Sequence, residues 1–129
     1  MNAGDIRVER LSSLEQFNEF ARLPYQVYGT REAWWPPDIQ NEVDLLSGKS
    51  LLSNYLEMAP FYVRRDGRVV ARVTAVINRR YIEHWNEPLG HLIHFEALDD
   101  EDDGVAAMLD AAVRWLEERG MRSVLAGDA

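Results

Sequence analysis

The chain has 129 residues, 47% of them hydrophobic and 28% charged, with no cysteine and a formal net charge of −8. This is one domain's worth of chain with room for a small core, and its apolar fraction excludes a disordered polymer. The missing cysteines exclude disulfides, thiolate zinc sites, iron–sulfur clusters and a cysteine nucleophile, while the acidic balance argues against a nucleic-acid partner, because such binding rests on phosphate neutralisation.

Residues 5–11, DIRVERL, set Ile6, Val8 and Arg10 against polar neighbours, the alternation of a first strand. Ser12 or Ser13 then caps a helix, with Glu15 or Gln16 as the partner of a capping box, and Leu14, Phe17, Phe20 and Ala21 follow at helical spacing. Pro24 is expected to end or kink that helix. Residues 31–38, REAWWPPD, pair two tryptophans with two prolines and predict an extended or turn backbone. Ile39, Val43, Leu45 and Leu46 predict a second, short helix stopped at Gly48. Residues 49–59 are ambiguous between a turn of helix and an irregular apolar connection.

The clearest local signal is FYVRRDGRVVARVTAVINRR, two β-rich runs flanking Asp66-Gly67, a dipeptide suited to the positive φ angles of a tight hairpin. Strict alternation places Val69, Ala71, Val73, Ala75 and Ile77 on one face and Val70, Arg72, Thr74 and Val76 on the other. A loop carrying Trp85, Pro88 and Gly90 leads to a further strand at 91–97, HLIHFEA. A helix from about Asp103 to Arg119 follows, acidic at its start, with Val105, Met108, Leu109, Ala112, Val113 and Leu116 on one stripe and Gly120 at its end. A short strand at 122–126 closes the series. Strands and helices in this order predict an α+β fold, a mixed, mainly antiparallel sheet flanked by helices.

The opening residues lack the basic and apolar regions of a signal peptide, and no window approaches the ~18 consecutive apolar residues of a membrane span. The expectation is a cytoplasmic protein with no membrane partner. Charge is uneven along the chain: eleven of the fourteen basic residues lie in 1–80, whereas Glu96 and the run Asp99, Asp100, Glu101, Asp102 and Asp103 crowd one stretch. The arginines at 64, 65, 68, 72, 79 and 80 either solvate the hairpin, hold a phosphate, or pair with that acidic run. The run itself reads as a helix N-terminus, capped by Asp102 or Asp103.

His91 and His94 have the spacing of a helical metal pair, but three residues apart on a regular strand they face opposite ways, so no metal site is expected. His94 and Glu96, two apart, project to one face, where a carboxylate would orient an imidazole or share a water with it; the pair is either a base for deprotonating an amine or a structural contact. Trp34 and Trp35, with Tyr25 and Tyr28 upstream, either wall an acceptor pocket or anchor a loop over the core.

The element order resembles the N-terminal two thirds of the GNAT acyl-CoA N-acyltransferase fold. The strings RLPYQVY, WWPPDI, FYVRRDGRVVARVTAVINRRY, HFEALDDED and LDAAVRWLEERGMRSVLAG are similar to those of an uncharacterised bacterial GNAT-like family with much longer members, over about Leu11 to Gly127. The resemblance implies acetyl-CoA or another acyl-CoA as cofactor and a small-molecule amine as acceptor. It implies a pantetheine arm along Phe95, Ala97 and Leu98, a pyrophosphate at the helix start by Gly104 and Val105, Glu96 on the strand that often bears the base, with His94 beside it, and Trp34, Trp35 and Tyr28 toward the acceptor.

Two features depart from the superfamily pattern. Its glycine-rich phosphate loop is replaced by DDEDDG, with one glycine and five consecutive acids, which repel pyrophosphate. Measured against the complete fold, residues 1–129 are expected to be a single domain incomplete at its C-terminus, lacking the last helix and two strands. Two expectations follow: a GNAT-like N-acyltransferase of an unknown amine, or a catalytically silent half-domain acting by self-association, as a homodimer through an exposed sheet edge.

Overall fold

The computed structural model describes residues 5–28 and 38–126. Its elements in chain order are β1 (Ile6–Arg10), α1 (Leu14–Tyr28), α2 (Ile39–Leu46), a 3-10 turn (Leu51–Asn54), β2 (Leu56–Arg65), β3 (Arg68–Asn78), α3 (Arg79–Trp85), β4 (Leu89–Ala97), α4 (Asp102–Glu118) and β5 (Ser123–Ala126). The strands form one five-stranded sheet in the order β1-β2-β3-β4-β5. The first four are antiparallel neighbours, and β5 lies parallel to β4 after the crossover through α4. The expected α+β architecture, a mainly antiparallel sheet flanked by helices, is the one observed.

Local chemistry explains most element ends. Ser13 Oγ accepts from the Gln16 amide while Gln16 Oε1 accepts from the amides of Ser12 and Ser13, the reciprocal pair of a capping box. Asp38 caps α2 by accepting from the Asn41 amide. Asp66 and Gly67, at φ 51° and 83°, make the two-residue turn between β2 and β3.

Three expectations need correction. Pro24 neither ends nor breaks α1, which runs on to Tyr28. Its lost hydrogen bond to the Phe20 carbonyl is replaced from the sheet, by Arg72 of β3. The ambiguous stretch resolves into the 3-10 turn and then strand, with Leu56 and Met58 already on β2. The expected loop before β4 begins as helix α3, capped by Asn78 Oδ1 accepting from the Tyr81 amide.

The sheet divides two cores. On one face α4 packs Met108, Ala112, Trp115 and Leu116 against Ala59, Phe61, Val63, Ala71, Val73, Ala75 and Ile77. On the other, α1 and α2 bring Phe17, Phe20, Ala21, Leu23 and Val43 together with Tyr62 and Val69. The alternation predicted for 71–77 holds, but a register shift beside Val63 and Arg64 makes Val70 an extra residue. Val69 therefore joins the α1–α2 core and Val70 the α4 core, the reverse of strict alternation, because a bulge inverts the facing of everything beyond it. Helix α4 lies close to β4 at Gly90, where an added Cβ would stand 2.8 Å from Leu116 Cδ2.

Candidate functional site

The feature that organises the site is the fork between β4 and β5. Their pairing covers only Leu89–Leu92 against Ser123–Ala126. Among the described residues, nothing pairs with Ile93–Ala97 along the edge of β4 that faces β5. At the fork lies a cleft of about 390 Å³ lined by Val73, Leu92, Ile93, His94, Phe95, Leu109 and Ala126. It is almost wholly apolar.

A second bulge shapes this edge. Thr74 pairs with Ile93 and Arg72 with Glu96, so His94 and Phe95 both stand opposite Val73. His94 takes up the extra residue at φ 61°, in the left-handed region. Phe95, half exposed, lines the cleft. The His94 ring goes to the α1 side, with Nδ1 3.0 Å from Thr74 Oγ1 and an edge contact to Phe20 at 5.8 Å between centroids. Burial, and then the Arg72 charge, hold its pKa down at about 4, so the ring is neutral at pH 7.

The bulge also corrects the argument from alternation about the two histidines. His91, opposite Val76, faces the α1 side as His94 does. The two rings have separate surroundings: His91 is buried against Tyr81, its Nδ1 has no hydrogen-bond partner among the described residues, and burial lowers its pKa. Among the described residues, no group of three or more histidine, aspartate or glutamate side chains is placed to hold a metal ion.

Arg72 is the hub that sequence reasoning grouped with the solvating arginines. It is 3% exposed, and its Nη1 donates to the Phe20 carbonyl at 3.0 Å and to Glu42 Oε1 at 2.8 Å, with the guanidinium 4.8 Å over the Phe20 ring. Burial raises the Glu42 pKa, Arg72 opposes that rise, and the Glu96 charge adds to it, so Glu42, Arg72 and Glu96 share one field. Glu96 is partly exposed and, among the described residues, makes no hydrogen bond or ion pair. The Nδ1 of His94 is thus oriented by Thr74 rather than by a carboxylate. One signal in the sequence pointed to this hub: an arginine in the middle of the run VVARVTAVI. Glu42 carried no such signal.

The remaining arginines are distributed by face. Arg65 reaches the start of α4, where it meets Glu101 at 2.8 Å and Asp103 at 2.6 Å, so part of the acidic run is neutralised from β2. Arg64 pairs with Glu9 and Glu19, and Arg79 with Glu57. The expected side-chain cap of α4 takes a different form: Glu101 is the cap residue, its carboxylate accepting from Arg65 rather than from a helix amide, and Asp103 Oδ1 accepts from the Gly104 amide. Gly104 packs against Val63, and the Val105 amide donates to Glu101 O. The Leu98 amide donates to Val70 O. Of the residues expected to meet a cofactor, Phe95 and Ala97 lie on the open edge, whereas the amides of Leu98, Gly104 and Val105 are already engaged. Trp34 and Trp35 lie outside the described residues, as does the side chain of Tyr28, the last residue of α1. Among the described residues, no helix is long and apolar enough to cross a membrane.

No family model matches the chain. It is 27% identical over 105 residues to Protein YghO of Escherichia coli K12, covering 81% of this chain but 27% of that protein, about a quarter of its length. Solved structures match more broadly. An aminoglycoside acetyltransferase from an uncultured soil metagenomic sample, in complex with sisomicin, superposes with a TM-score of 0.68 at 18% identity, over 96% of this chain and 78% of that one. The aminoglycoside N-acetyltransferase AAC(6')-Iy in complex with CoA gives 0.68 at 14% identity, over 99% of this chain and 80% of that one. The ribosomal-protein-alanine N-acetyltransferase of Brucella melitensis biovar Abortus 2308 gives 0.64 at 18% identity, over 97% and 81%. At such identities the likeness establishes the fold.

Proposed function

The chain has the GNAT acetyltransferase fold, and from that premise we propose that it is an acyl-CoA-dependent N-acyltransferase acting on a small-molecule amine. The observation that carries this reading is the fork: the free backbone edge Ile93–Ala97 beside an apolar cleft, at the point where parallel strands part. An extended pantetheine arm carries amides that would pair with such an edge as a strand does, and the cleft would take the acyl group and its thioester. Phe95 and Ala97 supply that edge. Fold alone does not fix a reaction, so the reading rests on this geometry and on the CoA held by a structural neighbour.

Transfer forms the amide bond, breaks the thioester C–S bond, and moves one proton from the amine nitrogen toward the departing sulfur. Glu96, partly exposed beside the bulge, takes the amine proton in this reading. His94 enters as a neutral hydrogen-bonding group, because a ring with a pKa of about 4 is a weak base for an ammonium ion. The helix start at Gly104 and Val105 contributes to phosphate binding only if Asp103 releases the Gly104 amide.

Calorimetric titration with acetyl-CoA, followed by thiol-release assays across primary amines, tests the reading. Saturable heat and amine-dependent thiol release are expected. No heat at millimolar acetyl-CoA would sink it.

One observation favours a second reading. All four residues of β5 are exposed, Val124 and Leu125 among them, which suits a chain that pairs with a second copy along this strand. Light scattering over a concentration range separates the two, since a strict monomer counts against self-association.

A further inference from the structure

We infer that Arg72 is a positioning residue for the acceptor side of the site, holding the bulged part of β4 in register with the α1–α2 layer. The inference rests on the acyl-transfer reading for its catalytic consequence, but its structural content is independent of it. A guanidinium buried in the middle of a central strand is costly, and an aliphatic side chain there would fill the space without the desolvation of a charge. What the arginine supplies is reach to several elements at once. It satisfies the Phe20 carbonyl on α1 and the Glu42 carboxylate on α2, and its Cα partner across the sheet is Glu96 on β4.

The link to the bulge runs through Phe20. Its ring lies beneath the guanidinium on one side and meets the His94 ring edge-on on the other. His94 is pinned from the sheet by Thr74, two residues from Arg72 on the same strand. Displacing Arg72 therefore frees the Phe20 carbonyl, loosens the wall against which His94 rests and removes the cation that pairs with Glu42. The charged group that acts on His94 is Arg72 on β3, which pairs with Glu42 on α2; Glu96 lies two residues further along the strand of His94. Beyond them, Tyr62 on β2 stands opposite Arg72 and bonds to Glu19 of α1 and to Arg64. A lysine would keep the charge but not the planar fork that serves α1 and α2 together.

The test compares the wild type with Arg72→Lys and with the double variant Arg72→Met/Glu42→Gln, in which the buried cation and its carboxylate partner go together so that no unpaired charge is left. Acetyl-CoA affinity is measured by calorimetry, kcat and KM for the amine by thiol release, the His94 ring by NMR titration, and Ile93–Ala97 by hydrogen exchange. Acetyl-CoA affinity within twofold of wild type is expected in both variants, together with at least a tenfold loss of kcat. The titration midpoint of His94 is expected to rise above about 4 in the double variant while staying below 6.5, because burial, the larger cause, remains, and to stay low in Arg72→Lys. Faster exchange at Ile93–Ala97 is expected in both.

Folded variants with kcat and amine KM within twofold of wild type would overturn the inference, as would equal losses of acetyl-CoA binding and turnover, which mark a general structural role. Should the double variant fail to fold, Arg72→Lys decides alone. If the wild type neither binds acetyl-CoA nor releases thiol, the acyl-transfer reading fails; unchanged exchange at Ile93–Ala97 in Arg72→Lys then refutes the positioning separately.

Discussion

The carbonyl of Phe20 accepts a 3.0 Å hydrogen bond from Arg72 Nη1. Four residues on, Pro24 has no N–H to offer that carbonyl, so α1 continues through a proline because a side chain from the sheet replaces the missing helical donor. The same Nη1 bonds to Glu42, which ties α1, α2 and β3 together at one buried cation.

Replacing Arg72 by methionine alone leaves the Phe20 carbonyl and the Glu42 carboxylate buried without their donor, and should cost about 3–5 kcal/mol of stability. Adding Glu42→Gln should restore roughly half of that loss, because what destabilises is the uncompensated charge. Urea denaturation of the two variants measures the difference. Equal stability of the single and double variants would show that Glu42 is not the compensated partner.

Protonation of His94 should contribute to acid sensitivity. Its pKa falls from 6.5 to about 4 on folding, so between these values the unfolded chain binds the proton and the native one does not. Stability from this group is complete above pH 6.5 and is lost as pH falls from 6.5 toward 4. His91, lowered by burial, acts in the same direction. Unfolding free energies at steps from pH 7.5 to 4.5 should show a shallower slope in His94→Asn than in wild type. Parallel slopes would mean that His94 titrates alike in the native and unfolded states, with no lowered pKa.

The backbone at His94 provides a separate test. At φ 61°, asparagine is accommodated, whereas a β-branched residue carries the strain of the left-handed region. His94→Val should be less stable than His94→Asn by about 1–2 kcal/mol. Thermal or urea unfolding of both would establish whether the bulge is strained; equal midpoints would show a bulge that relaxes to negative φ.

The acidic approach to α4 should penalise phosphate. Asp99→Asn/Asp102→Asn keeps Glu101 and Asp103, the carboxylates that Arg65 meets, and should tighten CoA binding by about fivefold at low ionic strength. Pantetheine, which lacks phosphate groups, should bind the variant and the wild type alike. If both ligands gained equally, the effect would not be electrostatic.

Most of the architecture was legible because it is local. The Ser13–Gln16 capping box, the Asp66-Gly67 turn and the apolar stripe of α4 each lie within a few residues of sequence, where propensity and periodicity operate. The order of those elements pointed to the GNAT fold found in the structure. The misplaced details share one cause. Pro24 within α1, the inverted facing of Val69 and Val70, and the common facing of His91 and His94 each depend on a partner or a bulge supplied by another strand.

By itself, the sequence determined most of the secondary elements, though not α3 or the start of β2, together with the acidic start of α4 and the presence of Glu96 and His94 on one strand, because short-range sterics and hydrophobic period are written in neighbouring residues. Only the tertiary structure decided that β5 parts from β4 after Leu92, that Asp103 occupies the Gly104 amide, and that Arg72 ties α1 and α2 to β3. Those outcomes turn on the register of a twisted sheet and on which distant groups can reach a buried charge, and no local pattern encodes that reach.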